Sequence, residues 1–248
     1  IDLYASAADD IWAASATLPL RRWDGDAWQV DASAPVARGL AGIASDRVIA
    51  FDSAALYLWD GVTWTSLGNG GATGTFVDAW VGSTTFALAV TSSGDVVSTD
   101  GVSVTRELEG PSSSAAAVFG SSADDAWAVS VGSGGLQQRS AAGWAPVLTL
   151  ETPSVIARTE EGLVAYDHRG DRWLLANDGF IRSGLDAPFV PDLYLADDDL
   201  RGGGNPLRHF DGLETETLFL EGEVNDLAAA GGHIFTVGRY GEILHRAP

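Results

Sequence analysis

The chain has no cysteine, no lysine and no methionine among its 248 residues. Without cysteine there is no disulfide, no thiolate metal site and no cysteine nucleophile. Export from the cell is compatible with that absence but does not follow from it. All fourteen basic residues are arginine, set against 34 Asp plus Glu, for a formal charge of −20. So acidic a surface repels phosphate backbones and anionic lipids, which argues against nucleic-acid and membrane-surface binding. Cations, basic proteins and neutral glycans stay open as partners. The bias toward Arg, Ala, Gly and Asp fits a GC-rich bacterial genome. No apolar run approaches the ~18 residues of a spanning helix, so no transmembrane segment is expected. Ile1 is not an initiator Met and no signal-peptide pattern follows it, so the chain reads as a mature or excised piece of a longer product. Helical periodicity is missing throughout.

What is present is a repeat. The segments "DDIWAAS" (9–15), "SDRVIAFDS" (45–53), "TTFALAV" (84–90), "DDAWAVS" (124–130), "EGLVAYD" (161–167), "DDLRGGG" (198–204) and "GHIFTVG" (232–238) align. Their bulky position falls at Trp12, Ile49, Phe86, Trp127, Val164, Arg201 and Phe235, in steps of 37, 37, 41, 37, 37 and 34 residues. Asp-Gly pairs run in phase with it, at Asp24-Gly25, Asp60-Gly61, Asp100-Gly101, Asp178-Gly179 and Asp211-Gly212, while copy four has Ala142-Gly143 there. Each copy reads as four short strands, A to D, with the Asp-Gly as a two-residue C–D hairpin turn. Seven such units with no helix to cover them predict an all-β, seven-bladed β-propeller in one domain. The expected blades are 1–31, 37–68, 75–109, 115–150, 153–185, 189–221 and 224–248.

The repeat resembles secreted bacterial propellers of the WD40/YVTN/BNR-like kind, whose units read S-x-D-D-[IV]-W-A followed by W-D-G-x-x-W. The resemblance covers nearly the whole chain and implies a non-catalytic binding scaffold, extracellular or in the cell envelope. It departs from two relatives within that group. "STDGVSV" (98–104) places its glycine one residue early for a sialidase Asp-box, and the repeated Gly-His markers of eukaryotic WD repeats are missing. No sialidase or WD-scaffold role is carried over.

The full W-D-G-x-x-W occurs twice, as Trp23/Trp28 and Trp59/Trp64, and Trp144 keeps the second tryptophan alone. Two tryptophans beside a carboxylate are also how many sugar sites are built. The spacing belongs to the repeat, however, so these rings are expected to fill blade seams and close the outer hairpin. Paired acids before strand B (Asp9-Asp10, Asp124-Asp125, Glu160-Glu161, Asp197-Asp198-Asp199) are read as A–B turn acceptors, too few in oxygens for calcium without a neighbouring loop.

Two candidate sites remain. Asp2, Asp78, Asp192 and Asp226 lie near the start of strand A, which lines a propeller's channel. They form either a ring that recruits a structural cation such as calcium or separate strand caps. No cofactor is otherwise required. The loops expected on one face, D–A and B–C, are mostly small and bland. The richest set falls in copies five to seven: His168, Arg169, Asp171, Arg201, Asn205, Arg239 and Tyr240. Those arginines suit a carboxylate or polar glycan, or are satisfied surface residues. Arg169-Gly170-Asp171 reads as a tight turn rather than an integrin motif. No nucleophile-elbow, zincin or P-loop motif occurs, and the four histidines lack ligand spacing, so no enzyme is expected.

Copy seven stops after strand C, and Ile1 already belongs to strand A of copy one. The last blade is therefore expected to lack its outer strand. An open edge of that kind is a template for a protein partner or a flanking chain segment. A lectin-like propeller using the D–A/B–C loops is the alternative.

Overall fold

The computed structural model describes residues 2–110, 115–130 and 135–147 and, beyond these, strands alone. Side chains beyond residue 147 are described at Leu174, Asp226, Ala228, Ala230, His233–Val237 and Ile243–His245. Blade one holds β1 (Asp2–Ala7), β2 (Asp10–Ser15), β3 (Leu18–Trp23) and β4 (Trp28–Val30). Blade two holds β5 (Gly39–Ala44), β6 (Arg47–Phe51), β7 (Leu56–Trp59) and β8 (Trp64–Gly68). Blade three holds β9 (Phe76–Ser83), β10 (Phe86–Thr91), β11 (Val96–Thr99) and β12 (Val104–Leu108). Blade four holds β13 (Ala115–Ser122), β14 (Asp125–Ser130), β15 (Gly135–Ser140) and β16 (Gly143–Pro146). Blade five holds β17 (Pro153–Thr159), β18 (Gly162–Asp167), β19 (Asp171–Ala176) and β20 (Gly179–Asp186). Blade six holds β21 (Asp192–Ala196), β22 (Asp199–Gly203), β23 (Leu207–Phe210) and β24 (Thr215–Phe219). Blade seven holds β25 (Val224–Ala230), β26 (His233–Gly238) and β27 (Ile243–Arg246).

Among the described residues these form six four-stranded sheets and one three-stranded sheet, each an antiparallel meander in chain order. The first strands meet in cyclic order, with β25 returning to lie beside β1. This is the all-β propeller that the repeat predicts, and its seventh sheet ends at β27.

Burial explains the sequence of each strand. Second strands lie sandwiched between neighbouring blades, so both faces are covered and their residues run apolar without alternation. Five successive residues are buried in β2, and all five are in β6. Outer strands such as β8 and β12 are only partly covered and carry polar residues. First strands crowd together toward the axis and need small residues. A Cβ on Gly39 would lie 2.1 Å from the Phe51 ring, and one on Gly42 would lie 2.5 Å from Tyr4. The core is a series of seam clusters. Trp12, Leu20, Leu40, Val48 and Trp59 join blades one and two, and Leu3, Ile11, Phe235 and Val237 join blades seven and one.

Two details correct the sequence reading. The register pairs Leu88 with Trp80 as it pairs Trp12 with Tyr4. Leu88, two residues past Phe86, is thus the bulky position of copy three, because β9 and β10 are joined by a longer hairpin stem. The hairpin tip is also displaced. Asp24 N–H donates to Ala27 C=O and Asp60 N–H to Thr63 C=O, so the tip residues are Gly25-Asp26 and Gly61-Val62 rather than Asp-Gly. The glycines take φ of +95° and +92°. The aspartates instead use Oδ1 to accept two backbone N–H groups, from Asp26 and Ala27 at 3.0 and 2.8 Å and from Val62 and Thr63 at 2.9 and 2.7 Å. Those bonds hold both exposed carboxyls below the usual carboxylate range.

Candidate functional site

The channel carboxylates follow one rule wherever their side chains are described. First strands of adjacent blades lie side by side without forming a common sheet, which leaves edge N–H groups to be satisfied. Asp226 accepts from Leu3 of blade one at 2.5 Å, Asp2 from Leu40 of blade two at 2.7 Å, and Asp78 from Val118 of blade four at 2.8 Å. Asp2 and Asp78 also accept the N–H of the next residue in their own strand, Leu3 at 3.0 Å and Ala79 at 2.9 Å. Asp2 and Asp78 are therefore staples between blades as well as caps, and Asp226 is a staple. Burial pushes the Asp78 carboxyl up to about 7, with the charge of Asp2 adding and the N–H groups of Val118 and Ala79 opposing. Asp192 occupies the same register position in β21, opposite Gly203 as Asp2 is opposite Ala14. Its side chain lies outside the described residues. Among the described residues no group of three or more His, Asp or Glu is placed to hold a metal ion.

The described bonds of the acids before strand B run to side chains of the same blade rather than to turn N–H groups. Asp10 accepts from Ser6 Oγ and, at 2.5 Å, from Arg22 Nε, while Asp125 accepts from Ser121 Oγ at 2.5 Å. Glu160, Glu161, Asp197 and Asp198 lie outside the described residues, and Asp199 begins β22.

On the D–A/B–C face, the loops around blade three are organised by Asp95, a residue that sequence reading passed over. It is 2% exposed and accepts from Thr73 N–H at 2.7 Å, Thr73 Oγ1 at 3.0 Å and Gly110 N–H at 2.8 Å, with Arg106 Nη1 at 3.5 Å. One carboxylate thus ties two D–A loops to a B–C turn, and its signal was "SSGD", a polar turn set between two apolar strands. Of the richer cluster in copies five to seven, His168, Arg169, Asn205, Arg239 and Tyr240 lie outside the described residues. Asp171 starts β19 and Arg201 sits mid-β22 opposite Tyr194, and their side chains also lie outside.

The tryptophans of the repeat pack on one another. Trp59 is 8% exposed, and Trp12 meets Trp59 and Trp64 edge-on with ring centroids 5.5 and 5.4 Å apart. The second tryptophan also makes a polar tie to the preceding blade. Trp64 Nε1 donates to Asp31 at 3.1 Å and Trp144 Nε1 to Glu107 at 2.9 Å. Arg139 supports the second tie, gripping Glu107 from Nε at 2.7 Å and Nη2 at 3.0 Å.

At the seam between blades seven and one, two histidines that looked scattered come together. His233 Nδ1 and His245 Nε2 are 2.8 Å apart, and the His245 ring stacks on Phe235 with centroids 4.2 Å apart. Trp23 flanks the stack, 6.2 Å from Phe235 and 5.8 Å from Trp28. Burial, and then the charge of His233, lower the His245 pKa. The antiparallel pairing of β26 with β27 makes this pair, which linear spacing does not reveal.

No family model matches the chain, and no curated protein matches it. Solved structures do. They are β-propellers. The structure described as "YCF48 bound to D1 peptide" superposes with a TM-score of 0.75 at 14% identity, covering 100% of this chain and 93% of that one. The WD40 propeller domain of Doa1 gives 0.78 at 10% identity, covering 98% and 90%. The extracellular domain of a putative one-component system from B. thetaiotaomicron gives 0.72 at 10%, covering 99% of this chain and 40% of that one. At such identities the likeness is one of fold.

Proposed function

We propose that this chain is a non-catalytic binding propeller of a bacterial envelope or extracellular space, and that it assembles with protein through the outer edge of blade seven. The observation that carries this reading is the three-stranded seventh sheet, in which no described strand covers β27. An uncovered strand presents a row of backbone donors and acceptors to an incoming extended segment. Leu244, 39% exposed on that strand, gives the segment an apolar contact. A peptide complex of a propeller with the same fold supports the reading by analogy, as does the absence of nucleophile and hydrolase motifs from the sequence. The arginine-bearing loops of copies five to seven are proposed as the alternative ligand face, for a polar glycan. The carboxylates Asp2, Asp78, Asp192 and Asp226 are proposed as a weak cation ring at most, since the three described ones already serve as backbone acceptors.

The test is selection of ligands from a displayed peptide library, followed by hydrogen exchange on the bound complex and a glycan array in parallel. Protection confined to residues 243–246 is the expected result. Protection of the D–A/B–C loops, or glycan binding without peptide binding, would overturn it.

A further inference from the structure

The outer-strand junctions of the propeller share a pairing rule that reaches the open edge. Count from the fourth-strand residue that pairs with the counterpart of Trp23 in each blade: Trp28, Trp64, Val104 and Trp144 in blades one to four. The residue three places on, Asp31 in blade one and Glu107 in blade three, meets the counted residue of the next blade. Where the next blade offers a tryptophan, the residue is an acid: Asp31 accepts from Trp64 and Glu107 from Trp144. Where the next blade offers Val104, the residue is Leu67, and both pack into one apolar cluster. The equivalence is visible in the backbone, since Asp31 N–H donates to Leu20 C=O and Val147 N–H to Leu136 C=O. At the following junctions the register brings Val147 and Phe180, then Ser183 and Thr215, to these positions. Acid goes with tryptophan, apolar with apolar, and hydroxyl with hydroxyl.

The seventh junction lacks one half of its pair. Trp28 is the first residue of β4, opposite Trp23, and so is the blade-one counterpart of Trp64 and Trp144. Its ring packs against Trp23, and among the described residues nothing accepts its Nε1–H. The acceptor in the other blades comes from the preceding fourth strand, and among the described residues blade seven has none. β27 carries no acid, and it brings His245 and Arg246 to this edge.

We propose that the strand completing blade seven is an extended segment of a partner protein that bears an Asp or Glu, whose carboxylate accepts the Trp28 indole N–H. The acid stands three residues after the partner residue that faces Arg246, which holds the place of Trp23 in the register. Alternate residues of the segment are apolar and turn toward the Trp23, Trp28 and Ile243 side of the seam. This rests on the docking edge proposed above and adds the chemistry that selects among strands.

The experiment supplies such a strand at high effective concentration. A copy of the chain's own acid-bearing fourth strand, "VTRELE" (104–109), is appended after Pro248 through a Gly-Ser linker. A second version carries Gln in place of the glutamate that copies Glu107. Both are placed in the native chain and in the Trp28→Phe variant, and the Tm gain over the unextended chain is read in each background, so that any effect of W28F itself cancels. The acid-bearing strand is expected to raise Tm in the native chain. The Gln version, or W28F, should each remove about 3 °C or more of that gain, and both together no more than either alone. Equal gains from acid and amide would overturn the carboxylate inference while leaving strand addition at β27 in place. No gain from either strand would overturn both.

Discussion

At the scale of single residues, carboxylates do most of the organising. They cap hairpin tips, staple first strands together and receive the indole N–H of a neighbouring blade. The staple at Asp78 has a pH signature. Its folded value of about 7 lies above the ordinary 3.8, so the folded chain holds a proton that the unfolded chain releases. The stabilisation from this group is complete below the unfolded value, shrinks as pH rises and is gone above the folded one. The Tm of the native chain minus that of Asp78→Asn is therefore expected to fall between about pH 4 and pH 8. A constant difference across that range would contradict the assignment. The indole ties make a second prediction. Trp64→Phe leaves the Asp31 carboxylate without one of its donors and should cost about 1–2 kcal/mol in urea denaturation. Asp31→Ala should add little to it in the double variant. These roles were legible in part. The recurrence of W-D-G-x-x-W marked the rings as architecture, but their hydrogen-bond partners lie one blade away, beyond what a local motif shows. Asp95 was missed because its partners sit in two separate loops, and the His233–His245 pair because cross-strand pairing within blade seven makes it.

At the scale of elements, the strands were legible because a buried second strand and a half-exposed fourth strand impose different patterns, and a 37-residue step repeats them. The turn was read one residue off. Asp-Gly is the usual two-residue tip, yet here the aspartate serves better as an acceptor for two N–H groups, which moves the tip to the glycine and the residue after it. The shift from Phe86 to Leu88 escaped alignment because the extra residues sit in the β9–β10 hairpin stem, where both positions are apolar. The glycine's role gives a prediction at this scale. Gly61 has φ +92°, and a Cβ there would lie 2.9 Å from the Cβ of Asp46. Gly61→Ala should destabilise the chain by about 1–3 kcal/mol by chemical denaturation, whereas Val62→Ala at the exposed neighbouring tip position should be near neutral.

At the scale of the whole molecule, cyclic order and seam clusters make the ring. Its sequence counterpart was the count of repeats, and the three-stranded seventh sheet matches a copy in which only strands A to C were read. The proposed partner was not visible, because the recognition chemistry proposed for it is a position left open by the pattern of the other blades rather than a motif in its own right. The proposed docking at blade seven requires β27 to be an available edge. The most direct measurement is amide hydrogen exchange on the free 248-residue chain, comparing β27 with the third strands β3, β7 and β11, each of which is covered by a fourth strand. If the edge is open, residues 243–246 will exchange as fast as the outermost strands β4, β8 and β12. Protection of β27 equal to that of β7 and β11 would mean that its edge is already occupied, and would contradict the account.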